Sequence, residues 1–204
     1  MIQTLIKNWW LLALCGVLDA IISIVYFDHA GHGFHSSKDI LFLGRVSVAA
    51  GICAIAAAMW RSDKGKCWLL ALNGLALGAL GLIFNGIAGS RISFRTVALL
   101  ILLMAISIGL LEMLTARTMR HRRQGVDGWF LGSAGAASVC FVVPFFALGF
   151  GWIRIQPGSF LDLLWLGSFF AFSAICMMAL ALRLHFQSGQ TGGLLPLGNP
   201  RHAH

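Results

Sequence analysis

The sequence predicts an all-α membrane protein whose six transmembrane helices form three repeated helical hairpins. Three observations lead to this fold class. Of the 204 residues, 58% are hydrophobic and only 11% are charged, whereas about a quarter of a soluble domain is charged. Short polar segments divide the apolar sequence into stretches long enough to cross a bilayer. Three of those stretches begin with a similar motif.

Six stretches have close to the ~20 mostly apolar residues that a transmembrane helix needs. They are interpreted as helices because continuous apolar runs exclude the alternating strands of a barrel. The first is a retained helix rather than a cleaved signal, since no small-x-small cleavage site precedes its polar exit. In chain order the predicted spans are Trp9–Phe27, Ile40–Trp60, Cys67–Ile87, Thr96–Ala116, Trp129–Phe150 and Phe160–Leu184. We expect one transmembrane domain over residues 1–186 and a flexible cytoplasmic tail over 187–204.

The distribution of Lys and Arg predicts which way the helices run. The N-terminus, the second and fourth gaps and the tail together carry ten of these residues, against four in the other gaps. By the positive-inside rule, both termini are cytoplasmic and the chain is a multi-pass protein of the bacterial inner membrane. This topology also accounts for the net charge of +8, so we expect the lipid bilayer as partner and no nucleic acid. The sequence leaves two kinds of protein partner open. One is a second copy of the chain in a homo-oligomer, and the other is a membrane protein that docks on the basic segment "RTMRHRR" at 117–123.

An internal repeat marks the start of the odd-numbered spans. In each copy a Trp at the predicted membrane boundary is followed six residues later by Gly. Interfacial preference explains the Trp and close helix packing explains the Gly, but the first two copies differ at a single position. The copies are "WLLALCG" at Trp10–Gly16, "WLLALNG" at Trp68–Gly74 and "WFLGSAG" at Trp129–Gly135. We expect hairpin repeats at about 9–60, 67–116 and 129–184.

Four segments carry a resemblance to a known family. They are "NWWLLALCGVLDAIISIVYF", "CWLLALNGLALGALGLIF", "GLLEMLTARTMRHRR" and "ALALRLHF", between Asn8 and Phe186. With the repeat, they resemble the HdeD family of bacterial acid-resistance membrane proteins. The resemblance implies six spans in paired hairpins and a link to acid stress. Cys15 and Asn73 stand where family members often carry a charged residue.

Three ionisable residues lie inside predicted spans, where charge is costly and functional roles are expected. Asp19 lies about 12 Å from the outer end of its helix and Arg45 about 9 Å from the outer end of the next, at 1.5 Å per residue. The two can form a pinning ion pair, or Arg45 can extend to the headgroups and leave Asp19 protonated, or both can line a proton or solute pathway. Glu112 matches a Glu often seen in the family, and Asn73 is placed to hydrogen-bond to it.

The loop after the first span is rich in histidine. His29, His32 and His35 recur every three residues in "DHAGHGFH". Imidazole is a zinc ligand and also titrates between about pH 5 and 8. Gly31 and Gly33 oppose a helix that would align the three rings. A metal site, a pH-responsive outer loop and a solvated connector therefore all stay open.

The sequence contains no motif of a known catalytic site. H-E-x-x-H, G-x-S-x-G and a phosphate-binding glycine loop are all absent, and the five cysteines lack the spacing of a disulfide framework or metal knuckle. We therefore predict a non-enzymatic protein without cofactor or metal, acting in envelope or acid-stress resistance. The alternative is a small transporter or channel that passes protons or a solute along Asp19, Arg45 and Glu112.

Overall fold

The computed structural model describes residues 2–33, 37–60, 67–86, 94–120, 140–148, 150–152 and 160–192. All regular secondary structure within these ranges is α-helical, as the sequence predicts. The helices are α1 (Ile2–Lys7), α2 (Trp9–Ala30), α3 (Ser37–Met59), α4 (Trp68–Gly86), α5 (Phe94–Arg120), α6 (140–148) and α7 (Phe160–Gly192).

Five of these helices, α2 to α5 and α7, are long and apolar enough to cross a membrane. The shortest, α4, has 19 residues and rises about 28 Å, close to the ~30 Å hydrocarbon thickness. Five of the six predicted spans are therefore confirmed as apolar helices of spanning length. The remaining predicted span, 129–150, falls mostly outside the described residues, and the structure describes helix there only at 140–148.

The long helices pack in an order that differs from their order along the chain. α5 packs on α4, α4 on α3, α3 on α2, and α2 on α7, so the last helix lies against the first long one. The two most extensive of these contacts are α3 with α4 and α2 with α7. Both join helices from different predicted hairpins, whereas the contacts within each hairpin, α2 with α3 and α4 with α5, are smaller.

Glycines bring the backbones of α3 and α4 into direct contact. A Cβ atom added at Gly51 would lie 2.6 Å from the carbonyl oxygen of Gly74, and one added at Gly81 would lie 2.6 Å from that of Gly44. Real side chains do not approach a backbone so closely, so these positions require glycine. The predicted role of Gly74 in close helix packing is confirmed.

The short helix α1 is tied to the start of the bundle by Asn8. The buried Asn8 side chain donates hydrogen bonds to the carbonyl oxygens of Ala57, at 3.2 Å, and Trp60. These carbonyls belong to the last turn of α3, where helical backbone acceptors have no partner within the helix. Asn8 therefore joins the beginning of the first hairpin to its end.

Candidate functional site

The most unusual side chain in the bundle is Asp19, in the middle of α2. It is completely buried and lies about 15 Å from the start of its helix at Trp9, by the helical rise. Its Oδ2 accepts a hydrogen bond of 2.7 Å from the Ser173 hydroxyl on α7. Its Oδ1 is also buried, and it has no hydrogen-bond partner among the described residues. An incompletely paired carboxyl inside a membrane bundle is costly, which marks Asp19 as a functional candidate.

The ion pair between Asp19 and Arg45, one of the three arrangements predicted from the sequence, is not formed. Arg45 is exposed on the outside of the bundle, and the described residues contain no ion pair between these two side chains. The helical geometry of α3 explains the separation. Ala50 faces α2, where its carbonyl accepts a hydrogen bond from the Cys15 thiol. Arg45 lies five residues earlier, about 140° away around the helix axis.

The second buried carboxyl belongs to Glu112 on α5. Its neighbour is the Cys176 thiol of α7, with which the Glu112 carboxyl interacts electrostatically. Cys176 follows Ser173 by three residues, so both side chains project from one face of α7 about one turn apart. α7 therefore contacts a buried carboxyl from α2 and another from α5 within a single turn.

Asn73, predicted to hydrogen-bond to Glu112, instead contacts Ser107 on α5. The Ser107 hydroxyl lies 3.4 Å from Asn73 Oδ1 and 2.9 Å from the Met104 carbonyl oxygen, while Asn73 Nδ2 has no partner among the described residues. Exchanging the two ends of the amide would let Nδ2 donate to the Ser107 hydroxyl while that hydroxyl donates to the Met104 carbonyl oxygen. The amide oxygen would then occupy the position that has no partner. This is a packing bond between α4 and α5.

One histidine of the predicted outer loop takes part in a defined contact. His29 Nδ1 lies 2.8 Å from the Val25 carbonyl oxygen, and Nε2 lies 3.3 Å from Oδ2 of Asp39 at the start of α3. The contact links the end of α2 to the beginning of α3. His32 is exposed, and His35 lies outside the described residues, so the predicted three-histidine group is described only in part.

Sequence reasoning identified the buried carboxyls of Asp19 and Glu112 but missed their α7 neighbours, Ser173 and Cys176. The only available signal was a small polar side chain in the apolar segment "FFAFSAIC". Such residues are common in membrane helices and do not reveal which helix they face.

The sequence was also compared with known proteins. No family model, no curated protein and no solved structure matches this chain.

Proposed function

We propose that this chain is a non-enzymatic, multi-pass inner-membrane protein of the HdeD type, with both termini in the cytoplasm. In this proposal it acts in resistance of the envelope to acid stress, through the buried carboxyl of Asp19. The observation that carries the proposal is the Asp19–Ser173 contact within the α2–α7 interface. An ionised carboxylate in apolar surroundings has a large desolvation cost that proton binding removes. Acid would therefore act on the contact that closes the bundle.

Equivalent contacts within two hairpins support the proposed repeat. The residue before the repeat glycine is Cys15 in the first copy and Asn73 in the second. Cys15 bonds to Ala50, 35 residues later, and Asn73 contacts Ser107, 34 residues later. Each pair joins the two helices of its own hairpin at nearly the same separation.

The contacts between hairpins are equivalent as well. A Cβ atom added at Gly74 would meet Gly51 and Ile55 of α3, and one added at Gly16 would meet Ala174 and Met178 of α7. Ala174 and Met178 each lie 123 residues after their α3 counterparts. The repeat glycine of α4 thus packs on α3 as the repeat glycine of α2 packs on α7, which supports a related arrangement of the hairpins.

This equivalence makes the Asp19–Ser173 pair exceptional. The first two copies of the repeat are offset by 58 residues, so Leu77 corresponds to Asp19. The α7 and α3 contacts are offset by 123 residues, so Ala50 corresponds to Ser173. Leu77 and Ala50 are both completely buried. The corresponding positions on α4 and α3 are therefore apolar, whereas the α2–α7 interface has a hydrogen-bonded carboxyl. Packing does not require a polar group at this position, which favours a functional role.

Acid survival tests the proposal. A deletion strain is complemented with the wild-type protein or with the double variant Asp19→Leu/Ser173→Ala, which copies the Leu77 and Ala50 pair. We expect the double variant to reach wild-type levels in the membrane but to protect no better than the empty strain after acid challenge. Asn73→Leu, which alters the packing bond between α4 and α5, is the matched control and should protect. Wild-type protection by the double variant would refute a role for the carboxyl.

A second candidate function is proton conduction. It is favoured by the position of α7, which contacts Asp19 through Ser173 and Glu112 through Cys176. Arg45 has no part in this arrangement because it is exposed outside the bundle. Proton flux into proteoliposomes should then fall to background in Asp19→Asn and in Glu112→Gln. If the wild-type protein also shows only background flux, proton conduction is rejected and the acid-resistance proposal is unaffected.

A further inference from the structure

One face of α3 is turned away from the rest of the bundle. It is defined by five exposed residues spaced alternately by four and three, which places them along one side of a helix. They are Lys38, Phe42, Arg45, Ala49 and Ile52, called here the α3 stripe. The residues that pack on α2 and α4, including Ser47 and Gly51, are buried on the opposite side.

The two cations of the α3 stripe are placed at different depths. Arg45 follows Ser37 by eight residues and so lies about 12 Å along α3 from the end of the helix. Lys38 lies seven residues before Arg45, about 10 Å nearer that end. The described residues provide Arg45 with no hydrogen bond or ion pair, although it is within a spanning helix. A guanidinium in this position is stabilised when it reaches the headgroup region and pairs there with an anion from outside the bundle.

We propose that Arg45 and Lys38 bind the phosphate of one anionic phospholipid, whose acyl chain lies along Phe42, Ala49 and Ile52. The flexible stem of Arg45 lets its guanidinium rise toward headgroup level while the stem stays in hydrocarbon. The planar guanidinium matches a phosphate with two parallel hydrogen bonds, and Lys38 adds charge at the same end. The small Ala49 side chain leaves room for the lipid acyl chain between the larger side chains of Phe42 and Ile52.

The charge pattern selects a lipid as the occupant. Lys38 is at the headgroup end of the stripe and Arg45 is at its middle, and the stripe beyond Arg45 is apolar. One phospholipid has the same order of charged and apolar parts. The nearest acidic residue in sequence, Asp39, is off the stripe and contacts His29. The stripe therefore has a net positive charge toward the surface, complementary to a phosphate.

Native mass spectrometry of the full chain, released from micelles with phosphatidylglycerol or phosphatidylcholine, tests the proposal. We expect one phosphatidylglycerol to stay bound, and the bound fraction to fall roughly fivefold in Arg45→Gln and in Lys38→Gln, the effect of one cation near a lipid surface. Arg45→Lys should keep part of the binding. Arg95→Gln, an exposed arginine at the start of α5, is the control and should bind as the wild type does. Inorganic phosphate at equal concentration should displace nothing.

Three results would overturn the proposal. Wild-type binding by Arg45→Gln would place the lipid elsewhere, and an equal loss in Arg95→Gln would indicate unspecific attraction to basic residues. Disulfide cross-linking of two chains through Ala49→Cys in a bilayer would identify a second copy as the occupant. If Arg45→Gln does not fold, the comparison rests on Lys38→Gln, at the exposed helix end, and on Arg45→Lys. Unchanged binding by both would refute the site.

Discussion

The Asp19 carboxyl accepts a 2.7 Å hydrogen bond from the Ser173 hydroxyl across 154 positions of the sequence. The bond joins the first long helix to the last, in an interface where Ser23 also donates to the Gly167 carbonyl oxygen at 2.8 Å. The ring of Tyr26, one turn further along α2, stacks on that of Phe170. Polar and aromatic contacts therefore act together where the two ends of the chain meet.

Ser173→Ala should destabilise the bundle by about 1–3 kcal/mol, because it leaves a buried carboxyl oxygen without its donor. The additional change Asp19→Leu should restore most of the loss, since both polar partners are then gone. Unfolding in mixed micelles by titration with a denaturing detergent measures the free energies. Ser168→Ala is the matched control, because among the described residues the Ser168 hydroxyl bonds only to the Leu164 carbonyl of its own helix. Additive effects of the two substitutions would contradict a direct bond.

Gly51→Ala should lower the free energy of unfolding by about 1–3 kcal/mol, the usual cost of overpacking. The added methyl group would lie 2.6 Å from the Gly74 carbonyl oxygen and would force α3 and α4 apart. Gly78→Ala, on the same interface helix but with no atom within 4 Å of its new methyl group, should leave stability unchanged or slightly raised. Equal effects of the two substitutions in the same unfolding titration would show that the backbone approach is not limiting.

Asn8→Ala should cost about 1–3 kcal/mol, since the carbonyl oxygens of Ala57 and Trp60 lose their side-chain donor. Asn8→Asp has nearly the same shape but no donor, so we expect it to be at least as destabilising. Thermal unfolding in detergent provides the comparison. Full stability of Asn8→Asp would mean that packing, rather than hydrogen bonding, accounts for the role of Asn8.

Asp39→Asn should loosen the turn between α2 and α3 in a pH-dependent way. The Val25 carbonyl requires a proton on His29 Nδ1, and the Asp39 carboxylate requires one on Nε2. Only the imidazolium has both. Asp28, whose carboxylate lies 3.8 Å from Nδ1, adds to the attraction. The contact is therefore complete when the ring is an imidazolium, whereas a neutral ring keeps only one of the two hydrogen bonds.

Hydrogen exchange of two backbone amides measures this effect. The N–H groups of His32 and Gly33 both bond to the His29 carbonyl oxygen, so their exchange reports the order of the turn. At acidic pH Asp39→Asn should exchange faster than the wild type, because the imidazolium loses its carboxylate partner. At alkaline pH the difference should disappear, because a neutral ring with its proton on Nδ1 has no Nε2 proton to donate to Asp39. Equal rates at both pH values would favour the solvated connector over a pH-responsive loop.

Much of the site could be predicted because of the bilayer. An ionisable residue in an apolar helix either faces the interior of the bundle or reaches the headgroups, so Asp19, Glu112 and Arg45 were identifiable before any fold was known. Which of these two alternatives each residue follows was not predictable. Asp19 and Glu112 are buried, whereas Arg45 is exposed. The rotation of a helix about its own axis decides this, and hydropathy averaged over a span carries no information about rotation.

Local composition was enough to predict the helical class, the approximate limits of five long apolar helices and the glycines that permit close packing. In a bilayer each span must satisfy its own backbone hydrogen bonds, so this result needs no knowledge of the neighbouring helices. The partners depend on the three-dimensional packing, which places Asp19 beside Ser173 instead of Arg45, and Asn73 beside Ser107 instead of Glu112. The order in which helices pack depends on the fit of whole surfaces. For Asp19 that fit involves a helix 154 residues away.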